Sequence, residues 1–193
     1  MNIIELVIDE NEELFGIEAI SVVENPAIEE DFIALKNQDQ IRLAEVSKEK
    51  RILMGAALIP DKPIYRKSDD NEFYIYFSKD TVAKASQMFL QAGNQGQATM
   101  EHATEKLEGM TVVESWIIED EVHDKSRKYG LDMPVGTWMI SIKCTNDEVW
   151  AKVKEQKIRG FSIEGYFADR LSNRPLDKQV DQLTEEDKLL NEI

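Results

Sequence analysis

From Ile52 onward the apolar positions come in short runs separated by turn residues, the pattern of strands with helices set between them. ILMGAALI (52–59) is a nearly continuous apolar run, which suits a strand buried on both faces, and the prolines of IPDKPIYR turn the chain after it. FYIYF (73–77) is rich in β-formers. QATMEHAT, TVVESWII and GTWMISIKC read as three more strands. The last of them alternates, with Trp138, Ile140, Ile142 and Cys144 on one face, and FSIEGYF (161–167) completes the set. Two stretches have helical spacing instead. Ser78 caps a helix of roughly fourteen residues that carries Val82, Ala85 and Phe89 on one side and stops at Gly93. Asn146 caps a second, shorter one with acids in its first turn, Lys near its end and Val149, Trp150 and Val153 on one side.

Before Ile52 the signals change. Ile3 to Ile8 is β-like and an acidic turn follows it. The stretch AISVVENPAIEEDFIAL then reads as an extended arm, because Pro26 biases Asn25 away from helix and the surrounding acids leave no self-contained core. Its Ile20, Val22, Ile28, Phe32 and Leu35 are expected to dock on the main body, and residues 36–51 form a charged linker. The organisation expected is therefore an arm and linker over 1–51, a domain over 52–171 and a polar acidic tail over 172–193. Its class is β-rich α+β: a small β-barrel or curled sheet with peripheral helices.

Charge narrows the partners. The chain carries 23 Lys and Arg against 38 Asp and Glu, a net of −15, with no basic run along any element. Nucleic acid and anionic membrane surfaces are poor partners for such a surface. The longest apolar runs are about eight residues, far short of the roughly 20 needed to cross a bilayer. The single Cys144 forms no internal disulfide, and the amino terminus lacks the features of a signal peptide, so a reducing, cytoplasmic setting is expected.

The chemistry has few carriers. Phosphate-loop and dinucleotide fingerprints are absent, and two isolated histidines with one cysteine do not make a metal site, so neither cofactor nor metal is expected. His102 lies in TMEHAT, where alternation puts it on one strand face with Met100 and Thr104. His123 lies in a loop among Glu119, Asp120, Glu121 and Asp124, a solvated position. The nucleophile candidate is Ser162 in RGFSIEGYF, a G-x-S-x-x-G pattern distinct from the G-x-S-x-G elbow of the α/β-hydrolases. Alternation sets Ser162, Glu164 and Tyr166 on one face, away from the apolar Phe161, Ile163 and Phe167.

AISVVENPAIEEDFIAL, GAALIPDKPIYR, TMEHAT with VVESWIIED, PVGTWMISIKC, EVWAKVK and RGFSIEGYF occur in that order over about residues 1–170. Together they resemble the XkdF-like branch of the tailed-phage prohead, or capsid maturation, proteases, a family similar in fold to the herpesvirus assemblins. The resemblance implies an assemblin-like β-barrel with helices around it, a serine nucleophile and a histidine base on neighbouring strands. Residue by residue, Ser162 matches the nucleophile and His102 the base, in the family's order. The base must come within about 3 Å of the serine hydroxyl to take its proton.

Assemblins complete the triad with a second histidine after the serine, and none follows Ser162 here. An acid is the expected substitute, to orient the ring and stabilise its imidazolium. Glu114 is the first choice, because a hairpin pairing 102 with 114 would put both on one face; Glu164 and Asp169 are the reserves. Arg170 is the candidate to assist an oxyanion hole through water. The function implied is a serine endopeptidase that co-assembles with phage scaffold and major capsid protein inside the immature capsid. It would self-associate, cleave segments of those partners, and cut itself within Asn25 to Leu35 or after Leu171. The alternative is an assembly or scaffold factor that keeps the fold without the chemistry.

Overall fold

The computed structural model describes residues 2–9, 16–28, 32–34, 50–68 and 71–171, so Leu35 of the expected arm, residues 36–49 of the charged linker and the tail after 171 lie outside the described residues. Eleven strands among them are β1 (Asn2–Val7), β2 (Gly16–Val23), β3 (Ile33–Ala34), β4 (Ile52–Leu58), β5 (Ile64–Ser68), β6 (Asn71–Tyr76), β7 (Ala98–Met100), β8 (Met110–Ile117), β9 (Trp138–Cys144), β10 (Gly160–Tyr166) and β11 (Ala168–Leu171). The helices are α1 (Lys79–Gln91), α2 (Lys125–Lys128) and α3 (Asp147–Lys154). The strands form three sheets, ordered β11-β1-β6-β5, β10-β2-β7 and β3-β4-β9-β8. The class is β-rich with helices, as expected, but none of these sheets closes on itself among the described residues, and the expected barrel is corrected to three open sheets.

The local rules explain most elements. Ser78 caps α1 by accepting from the Thr81 amide, Val82, Ala85 and Phe89 are fully buried, and the chain leaves the helix through Gly93 at φ 75°. Asn146 caps α3 by accepting from the Glu148 and Val149 amides at 3.0 and 3.1 Å. β4 is buried along nearly its whole length because it lies between β3 and β9. β9 is buried on both faces as well, so the predicted Trp138, Ile140, Ile142 and Cys144 are joined in the core by Met139 and Ser141. Phe89 of α1 meets Trp138 edge-on at 5.5 Å, which fixes the helix against the third sheet. Among the described residues no helix is long and apolar enough to cross a membrane.

Two segments are placed differently from the sequence expectation. Residues 16–23, of which 19–23 are expected to belong to an arm, form β2, the middle strand of the second sheet, antiparallel to β10 and parallel to β7. Flanked on both edges and covered on both faces, β2 buries Ile17, Ile20, Val22 and Val23. The chain beyond it does run as a docked arm. Arg159 holds its start, donating to the Glu24 carbonyl at 3.1 Å and to Asn25 Oδ1 at 3.0 Å. Phe32 then donates its amide to the Arg159 carbonyl at 2.7 Å and packs on Phe161 with ring centres 4.9 Å apart. Gly55 of β4 makes room for it, since a Cβ there would stand 2.9 Å from Phe32 Cβ. The second difference is the expected hairpin of His102 with Glu114, which does not form. β7 ends at Met100 and pairs with β2, whereas β8 pairs with β9 in another sheet.

Candidate active site

The second sheet brings three hydroxyls into one row. Ser162 of β10 stands opposite Ser21 of β2, and Ser21 stands opposite Thr99 of β7. Residues directly across a ladder project to the same face, so the row presents Ser162, Ser21 and Thr99 side by side. Glu164, two residues beyond Ser162, shares that face, and the alternation read from FSIEGYF holds here. The register shifts immediately afterwards, between Glu164 and Gly165. Gly165 is required at that point because a Cβ would run into the Gly16 carbonyl and stand 2.8 Å from Ile17 Cα. The second glycine of G-x-S-x-x-G therefore has a backbone reason: it lets β10 press against the start of β2 just past the serine.

His102 reaches this face from a turn rather than from a strand, which corrects the alternation assigned to TMEHAT. After Met100 the chain reverses through Glu101 at φ 48° and His102 at φ 56°, and the Ala103 amide closes the turn on the Met100 carbonyl at 2.9 Å. Two successive left-handed residues are the signature of a type I′ turn, which glycine and asparagine favour; histidine enters that region more readily than most side chains, and glutamate does not. Each such residue costs about 1–2 kcal/mol, so the surroundings must hold them. The Glu101 amide donates to the Val22 carbonyl at 3.2 Å, Glu101 Oε1 accepts from the Glu24 amide at 2.6 Å, and the His102 amide donates to Ser21 Oγ at 3.0 Å.

With the turn so held, His102 Nδ1 lies 3.2 Å from Glu164 Oε1. The same carboxylate oxygen accepts a hydrogen bond from Thr99 Oγ1. Thr99 thus fixes the acid, and the acid faces one nitrogen of the ring. The His102 side chain is 50% exposed and that of Glu164 28%, whereas Ser162 is 9% exposed and Ser21 fully buried. Among the described residues no hydrogen bond joins Ser162 to His102; what they share is Ser21, opposite the one and bonded to the backbone of the other. A polar cleft of about 360 Å³ opens beside Glu164 and Thr99, with Glu18, Asn94 and Lys106 on its walls. A smaller cavity of about 200 Å³ is lined by Ser162 together with apolar residues such as Phe77, Phe161 and Phe167 and with Arg66, whose pKa burial lowers.

The other sequence candidates lie elsewhere. Glu114 is on β8, where its carboxylate takes hydrogen bonds from Lys125 Nζ at 2.8 Å and Ser141 Oγ at 2.5 Å, and these hold its pKa below the ordinary range. His123 is exposed and sits 2.9 Å from Asp120, whose carboxyl this contact pulls down to about 2. Asp169 and Arg170 are on β11, opposite Leu6 and Glu5 in the first sheet; their side chains lie outside the described residues. Cys144 is buried, and burial raises its thiol pKa. Among the described residues no three His, Cys, Asp or Glu side chains gather as a metal ion would need.

Ser21 and Thr99 escaped the sequence reading. Thr99 lay within a recognised strand with no signal to distinguish it. Ser21 lay in IEAISVV, whose near-continuous apolar run is the mark of a strand buried on both faces and was the one clue that this was no surface arm.

Ser162 shares its sheet face with a carboxylate that a turn histidine approaches at 3.2 Å, and serine, histidine and acid are the side-chain types with which a serine hydrolase activates a hydroxyl. A family model described as "Putative phage serine protease XkdF" matches residues 40–171, more than half of the chain, and the protein belongs to that family. No curated protein and no solved structure matches the chain.

Proposed function

We propose that this protein is a prohead maturation endopeptidase in which Ser162 attacks the scissile carbonyl, His102 takes and returns the proton, and Glu164 orients the imidazole. The observation that carries the reading is the 3.2 Å approach of His102 Nδ1 to Glu164 Oε1 on the sheet face that bears Ser162. With Nδ1 directed to the carboxylate, Nε2 is the nitrogen left to serve the hydroxyl, the division of labour a catalytic triad requires. Glu164 replaces Glu114 in this role, because Glu114 is engaged by Lys125 and Ser141 on a different sheet. The polar cleft beside Glu164 is the place for the substrate chain on this reading.

The substrates proposed are segments of the phage scaffold and major capsid protein, together with this chain itself, cut inside the immature capsid where the enzyme self-associates. The test is co-expression with scaffold and major capsid protein, wild type beside Ser162→Ala and His102→Ala, followed by intact-mass analysis of every chain. Cleavage in wild type that vanishes in both variants supports the proposal. Uncut chains in all three samples, with capsid-like particles assembled, would instead support a non-catalytic assembly factor.

A further inference from the structure

We infer that Ser21 is a positioning residue for the catalytic histidine: its buried hydroxyl anchors the strained turn that carries His102 over the row containing Ser162. The inference rests on the peptidase reading of Ser162 and His102, and it adds a residue that lies outside the family-matched span 40–171.

The argument starts from the turn. Glu101 and His102 both have positive φ, a conformation uncommon outside glycine and one to which glutamate is poorly suited, so the turn depends on partners that satisfy its amides in that geometry. The Glu101 amide is met by the main chain of β2, at the Val22 carbonyl. The His102 amide is met by a side chain, Ser21 Oγ at 3.0 Å. Main-chain geometry supplies the first contact whatever residue stands at 22, but the second exists only because position 21 carries a hydroxyl. Ser21 is fully buried at the centre of its sheet, so the oxygen is held by packing and cannot follow the turn if it moves.

The register makes the position meaningful. Ser21 is the residue opposite Ser162, so the atom that fixes the histidine backbone sits next to the proposed nucleophile. Thr99, on the other side of Ser21 in the same row, holds the carboxylate that faces the ring. One oxygen therefore sets the backbone of the base and its neighbour sets the acid, while the third oxygen of the row remains for attack. An aliphatic residue at position 21 would fill the space equally well and leave the His102 amide without its partner.

The test uses the full chain with Ser21→Ala and Ser21→Thr, reading amide hydrogen exchange at His102 by NMR and acylation of Ser162 by a fluorophosphonate, with mass detection. In Ser21→Ala the His102 amide should exchange about tenfold faster while the Val22 and Ser162 amides keep their protection. Acylation should fall roughly ten- to a hundredfold with little change in Tm, since a displacement on the order of 1 Å suffices for that loss. Ser21→Thr, which keeps the oxygen, should recover both. Wild-type exchange at His102 together with wild-type acylation in Ser21→Ala would overturn the inference. If Ser162 fails to acylate even in wild type while Ser21→Ala still frees the His102 amide, the peptidase reading falls and the anchoring contact stands.

Discussion

Replacing Glu164 by Gln separates the two carboxylates that compete for the third place in the triad. The substitution keeps the shape of the side chain and an oxygen for Thr99 to donate to, but removes the charge 3.2 Å from His102 Nδ1. That charge matters when the ring becomes an imidazolium during attack. At 3.2 Å the attraction is about 5 kcal/mol at an effective dielectric near 20 and about 1.3 kcal/mol in bulk water. His102 is half exposed, which places the pair toward the watery end, so about 2 kcal/mol is the working figure. The rate of Ser162 acylation by a fluorophosphonate should therefore fall roughly thirtyfold in Glu164→Gln. Glu114→Gln is the matched control and should acylate at the wild-type rate, because that carboxylate is occupied by Lys125 and Ser141. Intact-mass detection of the labelled serine needs no knowledge of the natural substrate. An unchanged rate in Glu164→Gln, or a large loss confined to Glu114→Gln, would refute the assignment.

Three further outcomes follow from particular contacts. Gly165→Val should lower the Tm by about 5 °C or more, read by circular dichroism, because the new Cβ meets the backbone of Gly16 and Ile17 rather than a side chain that could yield. The Glu114 carboxyl has a pKa depressed by Lys125 and then Ser141, so its stabilising contribution is present above the ordinary carboxylate pKa and is lost as pH falls through the depressed one. Urea unfolding should accordingly show Glu114→Gln less stable than wild type at neutral pH, with the gap closing only as the pH falls below the ordinary carboxylate range. Cys144, buried and with its thiol pKa raised by burial, should resist iodoacetamide in the folded chain and react fully in denaturant, as mass analysis would show.

Much of this molecule was legible before any coordinates. α1 and α3 announced themselves through Ser78 and Asn146, because a cap and a helical stripe are local and need no partner. The same is true of β4, whose apolar run suits a strand buried on both faces, and of β9, whose alternation marks a strand though not its second buried face. Ser162 and His102 were singled out by the ordered resemblance, and the face shared by Ser162 and Glu164 followed from simple alternation.

What the sequence could not decide was which elements lie side by side. Strand pairing is non-local, so nothing in VVES said that β8 would seek β9 instead of β7, and the choice of Glu114 over Glu164 rested on that unknown. Nothing in TMEHAT said that the strand would stop at Met100, because the left-handed turn runs against the preference of Glu101 and is held by contacts with β2. β2 itself, whose residues 19–23 suggest an arm, is the middle strand of the sheet that bears Ser162. Composition and periodicity determine what a segment wants to bury; tertiary structure alone decides which hydroxyl ends up opposite which, and here that places Ser21 between Ser162 and Thr99.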